Sequence, residues 1–399
     1  MKGLPAYPVA LAAALDVAAG PGSTHARSPA EAVGDVLAED LRADRDLPPF
    51  DRAQMDGYAV RSGDLGVVEA WPVAAVVPAG GVATTPVPPQ ACVKIATGAP
   101  VPPELDAVIP HEESDRNDPV RFRVDSVTPG RAIHPRGADA RAGDVVCPAG
   151  TIVGPPHVAL AAAVGVSTLT VRRRPRVTVL TSGDEVVGPD DPVAAHQIRN
   201  SNGPMLLTLL ARVGAEPMTN VHVRDEGSET NDAVQRALAA SDLVITVGGV
   251  SAGERDHFPD AFAAAGVTMV VRGAAIQPGK PVMVGRVGGD GAIVVALPGN
   301  PVSALACACL FAWPIVRRWS GADPRLPWLA TRLAAPVKPN PRRTAFRPTR
   351  IEPDGRVTVP AWAGSGDLTH TAGTHGLVEL PMQDAEVTPG TPVRFLPWP

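Results

Sequence analysis

The chain has 399 residues and a formal net charge of −5, a length that predicts roughly two to four domains with room for buried cores. That charge gives no basic field for nucleic acid, so the expected partners are small molecules, anions held by local donors among them. Its 39 glycines and 45 prolines are about a fifth of the chain against roughly 12% on average, which predicts many turns and short strands. The four cysteines, Cys92, Cys147, Cys307 and Cys309, form no CxxC pair and read as reduced, packed thiols of a cytoplasmic protein. No uninterrupted apolar run reaches the roughly 18 residues of a membrane span. Residues 9–19 resemble a signal-peptide core, but Asp16 interrupts them and only Lys2 precedes them.

Residues 8–42 read as helical: one apolar run ends at Gly20-Pro21-Gly22, and a second starts at Ser28-Pro29 with Ser28 as N-cap and Glu31 close behind. From 47 to 146 the pattern changes to short strands between Pro and Gly, expected at 71–77, 91–95 and 120–127. Residues 154–168 return to helix. The first and third stretches then pack together as a helical/linker domain (1–45 and 136–171), with a β-rich lobe (46–135) inserted between them. From 172 to 321 the pattern is α/β. Apolar strands are expected at 176–181, 242–247 and 292–296, followed by helices at 205–213, 259–265 and 302–316. Such alternation predicts a parallel sheet covered on both faces, and right-handed crossovers bring its strand-to-helix loops to one carboxyl edge. Residues 322–399 carry Pro-separated β-like runs at 345–351, 356–359 and 393–396 and read as a small β domain.

The loops on that edge carry the chemistry. Asn300-Pro301 reads as an N-cap and first helical residue, with free N–H groups that attract phosphate. Gly248, Gly249 and Gly253 let a second loop approach a ligand, Ser251 adds a hydroxyl, and Gly183 serves the first loop. Asp184, Glu185, Asp225 and Asp256 accompany them. Backbone donors beside carboxylates suggest a Mg-dependent phosphate-ester site. Each loop alone is also compatible with an ordinary turn; three on one edge favour a site. Lys280, in Gln277-Pro-Gly-Lys-Pro281, reads equally as a point charge for an oxyanion and as a solvated turn lysine. Gln54-Met-Asp56-Gly-Tyr58 suits a hairpin with an Asp-Gly turn.

A competing reading is a serine hydrolase. Gly249-Val-Ser251-Ala-Gly253 matches G-x-S-x-G between strand and helix, with Asp367, His370 and His375 downstream. Against it, those partners fall in the β tail, and no Gly-rich oxyanion segment follows an earlier strand. P-loop, dinucleotide, HExxH and zinc signatures are all missing.

Taken together, LPPFDRAQMDGYAV (47–60), IATGAPVP (95–102), TSGDEVVGP (181–189), GGVSAGERD (248–256), PGKP (278–281) and LPGNPVSA (297–304) resemble, in that order, the MoeA/gephyrin family, the molybdopterin molybdenumtransferases. The resemblance implies an elongated four-domain subunit that dimerises, with an α/β molybdopterin-binding domain and a C-terminal β-barrel. It implies a reaction on adenylyl-molybdopterin and molybdate in which the phosphoanhydride is cleaved, AMP leaves and molybdenum stays on the dithiolene, with Mg²⁺ assisting. The active site would lie between the α/β domain of one subunit and the β lobe of its partner. The molybdopterin adenylyltransferase and molybdoenzyme chaperones are the protein partners it suggests.

Carried over by position, Asp56, Thr97, Glu185, Asp256 and Lys280 are the expected catalytic residues, with Asp56, Glu185 and Asp256 as metal ligands. Asp139, Asp225, Ser182, Gly183, Gly249 and Ser251 are expected to bind substrate. So are Pro298, Gly299, Asn300 and Pro301, and, more loosely, Arg343 and Ser365 of the tail. The chain departs from the pattern in places. Gln277 stands where a lysine is common, Arg52-Ala53-Gln54 replaces Asn-Ser-Ala, and Asn200 replaces an acidic residue. Arg52 returns the charge lost at Gln277 if it points into the cleft. These departures keep a second reading open, a non-catalytic pterin-binding or scaffold paralogue.

Overall fold

The computed structural model describes residues 3–20, 22–249 and 256–399. Helix α1 (Tyr7–Asp16) is the first apolar run, but it joins the α/β layer rather than the linker region. Pro314 has no N–H and its ring displaces the carbonyl four residues back in a helix. That carbonyl, on Leu310, accepts instead from Tyr7 Oη at 3.1 Å. The second expected helix does not form. Ser28 N and Oγ both donate to Glu31 Oε2, at 3.3 and 2.7 Å, so the capping contact exists around a single turn. Gly34, at φ +87°, ends that turn and donates to Val153 O. The flanking strand Thr24–Arg27 pairs with Leu169–Arg172. Ala32, Leu37, Leu41, Cys147, Ala161 and Val171 share one core there, beside α2 (Pro155–Ala163).

The lobe between these segments is a four-stranded sheet of β1 (Gly57–Val60), β2 (Val73–Val77), β3 (Cys92–Ile95) and β4 (Ala107–Pro110), in the order β2-β3-β1-β4. Alternate residues point to opposite faces, so Ala59, Val93 and Val108 fill one core and Tyr58, Cys92 and Ile109 the other. The strand expected at 120–127 is absent. Val120 and Phe122 make only isolated bridges, to Trp71 and Ser114, because the Asp115 carboxylate takes the Arg121 N–H that a ladder would use.

The α/β layer contains β5 (Arg176–Ser182), α3 (Asn202–Arg212), β6 (Glu216–Val223), α4 (Gly227–Ala240), β7 (Leu243–Val247), α5 (Phe258–Ala264), β8 (Val267–Arg272), β9 (Met283–Val287) and β10 (Ile293–Leu297). Sheet order is β6-β5-β7-β10-β9-β8. The three expected strands, β5, β7 and β10, are parallel as expected and β6 joins them in parallel, but β9 runs antiparallel to both of its neighbours, β10 and β8. The sheet is therefore mixed, because β9 and β10 are joined by a tight glycine turn that leaves no room for a crossover helix. One face packs on α1, α3 and the long helix after β10, the other on α4 and α5. That long helix, Pro301–Trp319, is long and apolar enough to cross a membrane, and most of it is buried inside this core. It comprises α6 (Pro301–Cys307), a π turn at Ala308–Ala312 and α7 (Trp313–Trp319).

The C-terminal sheet holds β11 (Leu329–Arg332), β12 (Thr344–Ile351), β13 (Gly376–Leu380) and β14 (Pro392–Pro397). Val357–Thr358 pairs with β12, and Leu333, just past β11, bridges back to Val357. The pairings thus run round a small barrel about Leu333, Ala345, Val378 and Phe395. Ile276–Gln277 adds to β12 in parallel and ties the α/β layer to this barrel.

Candidate functional site

Strands β5, β7 and β10 lie side by side and in parallel, which brings their loops to one edge. Close approach there requires glycine. A Cβ on Gly249, at φ +60°, would stand 2.8 Å from the Phe258 ring, and one on Gly248 3.1 Å from Ser182 Oγ. Two adjoining cavities open on the edge. One, of about 450 Å³, is lined by Ser182, Gly183, Glu185, Asn200, Asn202 and Asp225. The other, of about 620 Å³, is lined by Gln277, Lys280, Pro298, Arg343, Trp362 and Ser365. Gly248, Gly249, Asp256, Gly299 and Asn300 border both, and Pro301 borders the first. Ser251 and Gly253 lie outside the described residues, as do Lys2 and Pro21.

Charge within the first cavity is crowded. Burial, then the neighbouring charges of Asp184 and Glu185, push the Asp225 carboxyl above its ordinary range. Asp225 N also donates to Asp184 Oδ1 at 3.2 Å. Asn200 is buried with both ends of its carboxamide used. Oδ1 accepts from Gly203 N at 3.0 Å, and Nδ2 donates to Thr181 Oγ1 at 2.9 Å. The Asn200 departure thus ties the first turn of α3 to the end of β5. Asn202 Nδ2 donates to Gly299 O at 2.7 Å and joins α3 to the third loop. Asn300 stands at the N-cap position and Pro301 in the first turn, as expected, but the Asn300 side chain makes no cap bond.

Asp56 and Thr97 occupy the β lobe instead, and Asp139 lies just past its end. Asp56 Oδ1 accepts from Thr97 N at 2.6 Å and from Thr97 Oγ1 at 2.8 Å, and these bonds lower its carboxyl below the usual range. Asp139 Oδ1 lies 2.9 Å from His134 Nε2. Arg52, Gln54, Thr97, Gly98 and His134 line a cavity of about 550 Å³ there. It shares no lining residue with the two edge cavities. The chain therefore divides the sequence-derived residues into two groups, and Asp56 is not brought to Glu185 and Asp256 within the described residues.

The partners proposed for a hydrolase serve the barrel itself. Asp367 accepts from Ala363 N, His370 N and the His370 ring, which hold its carboxyl down at about 2. His375 Nδ1 accepts from Ile351 N.

Glycine-lined strand ends around a polar, anion-suited cavity define the class, and residues 178–318 match the model of a probable molybdopterin binding domain. Residues 8–165 match the MoeA N-terminal region (domain I and II), and residues 330–398 the MoeA C-terminal region (domain IV). Molybdopterin molybdenumtransferase 2 of Mycobacterium tuberculosis is 36% identical over 379 residues, 91% of this chain and 92% of its own. The molybdopterin molybdenumtransferase of Staphylococcus aureus is 31% identical over 356 residues, 87% and 84% of the two chains. The crystal structure of the molybdopterin biosynthesis moeA protein of Pyrococcus horikoshii OT3 superposes with a TM-score of 0.83 at 28% identity, over 99% of this chain and 100% of that one. The chain belongs to the molybdopterin molybdenumtransferase family.

Sequence reasoning missed Trp362, Arg347 and the working parts of Asn200 and Asn202. Asn-Ser-Asn before an apolar run is a helix-start signal, and it was available at 200–202. Nothing local marks Arg347.

Proposed function

We propose that this chain inserts molybdate into adenylyl-molybdopterin, cleaving the phosphoanhydride, releasing AMP and leaving molybdenum on the dithiolene. The observation that carries this is the pair of adjoining cavities on one sheet edge, one with Glu185 and Asp225 beside Arg199, the other with Lys280 and Arg343, and Asp256 on the border of both. Backbone donors at Gly248, Gly249 and the start of α6 suit the phosphates. Lys280 and Arg343 suit molybdate and the charge that grows on the departing phosphate, where one well-placed donor is worth about 3–4 kcal/mol. Ser182, Asn300, Ser365 and the Pro298–Pro301 loop complete the substrate wall.

Mg²⁺ belongs to this proposal, and the donor set suits it. Burial first, and then the charges of Asp184 and Glu185, disfavour the ionised Asp225 carboxyl, and a cation would relieve the repulsive part. Among the described residues no three His, Cys, Asp or Glu side chains gather tightly enough to hold a metal alone. An ion bound through one or two carboxylates together with substrate phosphates needs no such cluster. Glu185 and Asp256 would hold it, and the ion would neutralise phosphate charge.

Asp56, Thr97 and Asp139 enter the reading through a homodimer, in which the β lobe of one subunit closes the edge of its partner. Within one chain Thr97, which holds Asp56, lines a cavity of its own, apart from those of Glu185 and Asp256, and that separation supports the shared site. A cytoplasmic setting fits the four free, buried cysteines. Burial pushes the Cys92 and Cys309 thiols up to about 12. The adenylyltransferase that supplies the substrate and the chaperones of molybdoenzymes are the proposed protein partners.

The test is AMP release from adenylyl-molybdopterin when molybdate is added. Release above the protein-free rate is expected. Tight pterin binding without AMP would leave a scaffold, and labelling of Ser251 by a fluorophosphonate would point to a hydrolase.

A further inference from the structure

The barrel side of the larger cavity holds an arrangement that the reaction above does not account for. Gln277 lines this cavity, and its Oε1 accepts from Asn340 Nδ2 at 2.8 Å and from Arg347 Nη2 at 3.3 Å. A guanidinium has donors only, so Arg347 dictates which way the carboxamide faces. The oxygen must turn to Arg347, and the two N–H donors are what Gln277 has left for the cavity. Arg347 is itself fixed, with its guanidinium 4.5 Å from the centre of the Trp362 ring. Lys280, Arg343 and Arg347 make no ion pair with a carboxylate among the described residues. Burial first, and then the charge of Arg343, disfavour the protonated Arg347. An anion in the cavity would relieve that repulsion, and the shielding ring of Trp362 makes the field of Arg347 stronger than in open water.

We propose that Gln277 is a neutral donor to a doubly charged tetrahedral oxyanion in this cavity, and that Arg347, seated on Trp362, is the positioning residue that aims it. The inference rests on reading the cavity as the molybdate end of the site. It also explains how an uncharged side chain serves at position 277, where a lysine would place an ammonium against Arg347. Arg52, in the other lobe, is not needed for that purpose.

Calorimetric titration of the full-length protein with molybdate alone tests it, with inorganic phosphate run in parallel. Gln277→Glu keeps an acceptor for Arg347 but replaces the donors by a charged oxygen. It should leave the thermal midpoint unchanged or raised while molybdate affinity falls more than about tenfold, the scale of one charge-assisted hydrogen bond. Arg347→Gln should weaken molybdate about fivefold or more, and Arg347→Lys should recover part of that loss. Equal weakening of phosphate would mean the seat takes any such dianion; weakening of molybdate alone would mean it is selective. Either variant, Gln277→Glu or Arg347→Gln, binding molybdate within twofold of the parent would overturn the inference. A parent that neither binds molybdate nor releases AMP would instead overturn the function on which it rests.

Discussion

Asn300 Nδ2 donates to Ser365 Oγ at 2.9 Å, across the boundary between the α/β layer and the barrel. Val302 N donates to the Ser365 carbonyl at 2.9 Å beside it, so two bonds pin the loop at 364–365 to the start of α6. A residue placed to cap its own helix works here as a cross-link between domains.

Replacing either partner, by Asn300→Ala or Ser365→Ala, should each cost about 0.5–1.5 kcal/mol. The double variant should cost less than the sum, because both remove one bond. Urea unfolding of the four proteins gives the coupling energy. Strictly additive costs would show that the contact is not formed in solution.

Gly279 holds the Lys280 loop against α6. Its φ is +105°, and a Cβ there would stand 2.1 Å from Cys307 Sγ. Gly279→Ala should therefore destabilise by about 1–3 kcal/mol and lower turnover through a displaced Lys280. Adding Cys307→Ala should recover the part due to the clash and leave the part due to the backbone. Full recovery in the double variant would show that the backbone angle contributes nothing.

The raised Asp225 carboxyl makes a pH-dependent prediction. Its pKa in the fold lies above the unfolded value of 3.8, so the fold favours the protonated form. The associated stability is present below 3.8 and lost as pH rises through the folded pKa. Asp225→Asn should gain thermal stability over the parent at about pH 7, and that gain should shrink in acid. Glu185→Gln should lower the Asp225 pKa toward 3.8, which carboxyl-carbon NMR titration reads directly. An unchanged titration would remove Glu185 from the neighbourhood of Asp225.

A site shared between subunits predicts complementation. Asp56→Asn and Glu185→Gln chains, each inactive alone, should regain part of the parent AMP release after mixing, because some heterodimers carry one intact site. Subunit exchange is followed by fluorescence transfer between labelled chains. Exchange without recovered activity would place Asp56 outside the working cleft.

By itself the sequence determined the α/β layer and its edge. Three apolar runs ending in Gly or Pro are strands whose burial on both faces leaves no alternation, and handed crossovers put their ends together whatever the details of the loops. The six spaced motifs then identified the family, and Lys280, Glu185 and Asp256 do lie on the edge cavities. Only the tertiary structure decided that Ser28 and Glu31 form their contact without a helix, that Asn300 reaches Ser365 rather than its own backbone, and that Arg347 turns Gln277. It also decided that Asp56 and Glu185 stand apart within one chain. Helix starts, turns and strand periods are written in neighbouring residues, so they can be read locally. The partner of a polar side chain is chosen by whichever donor the packed core brings alongside, and residues 65 or 70 positions apart carry no local trace of that meeting.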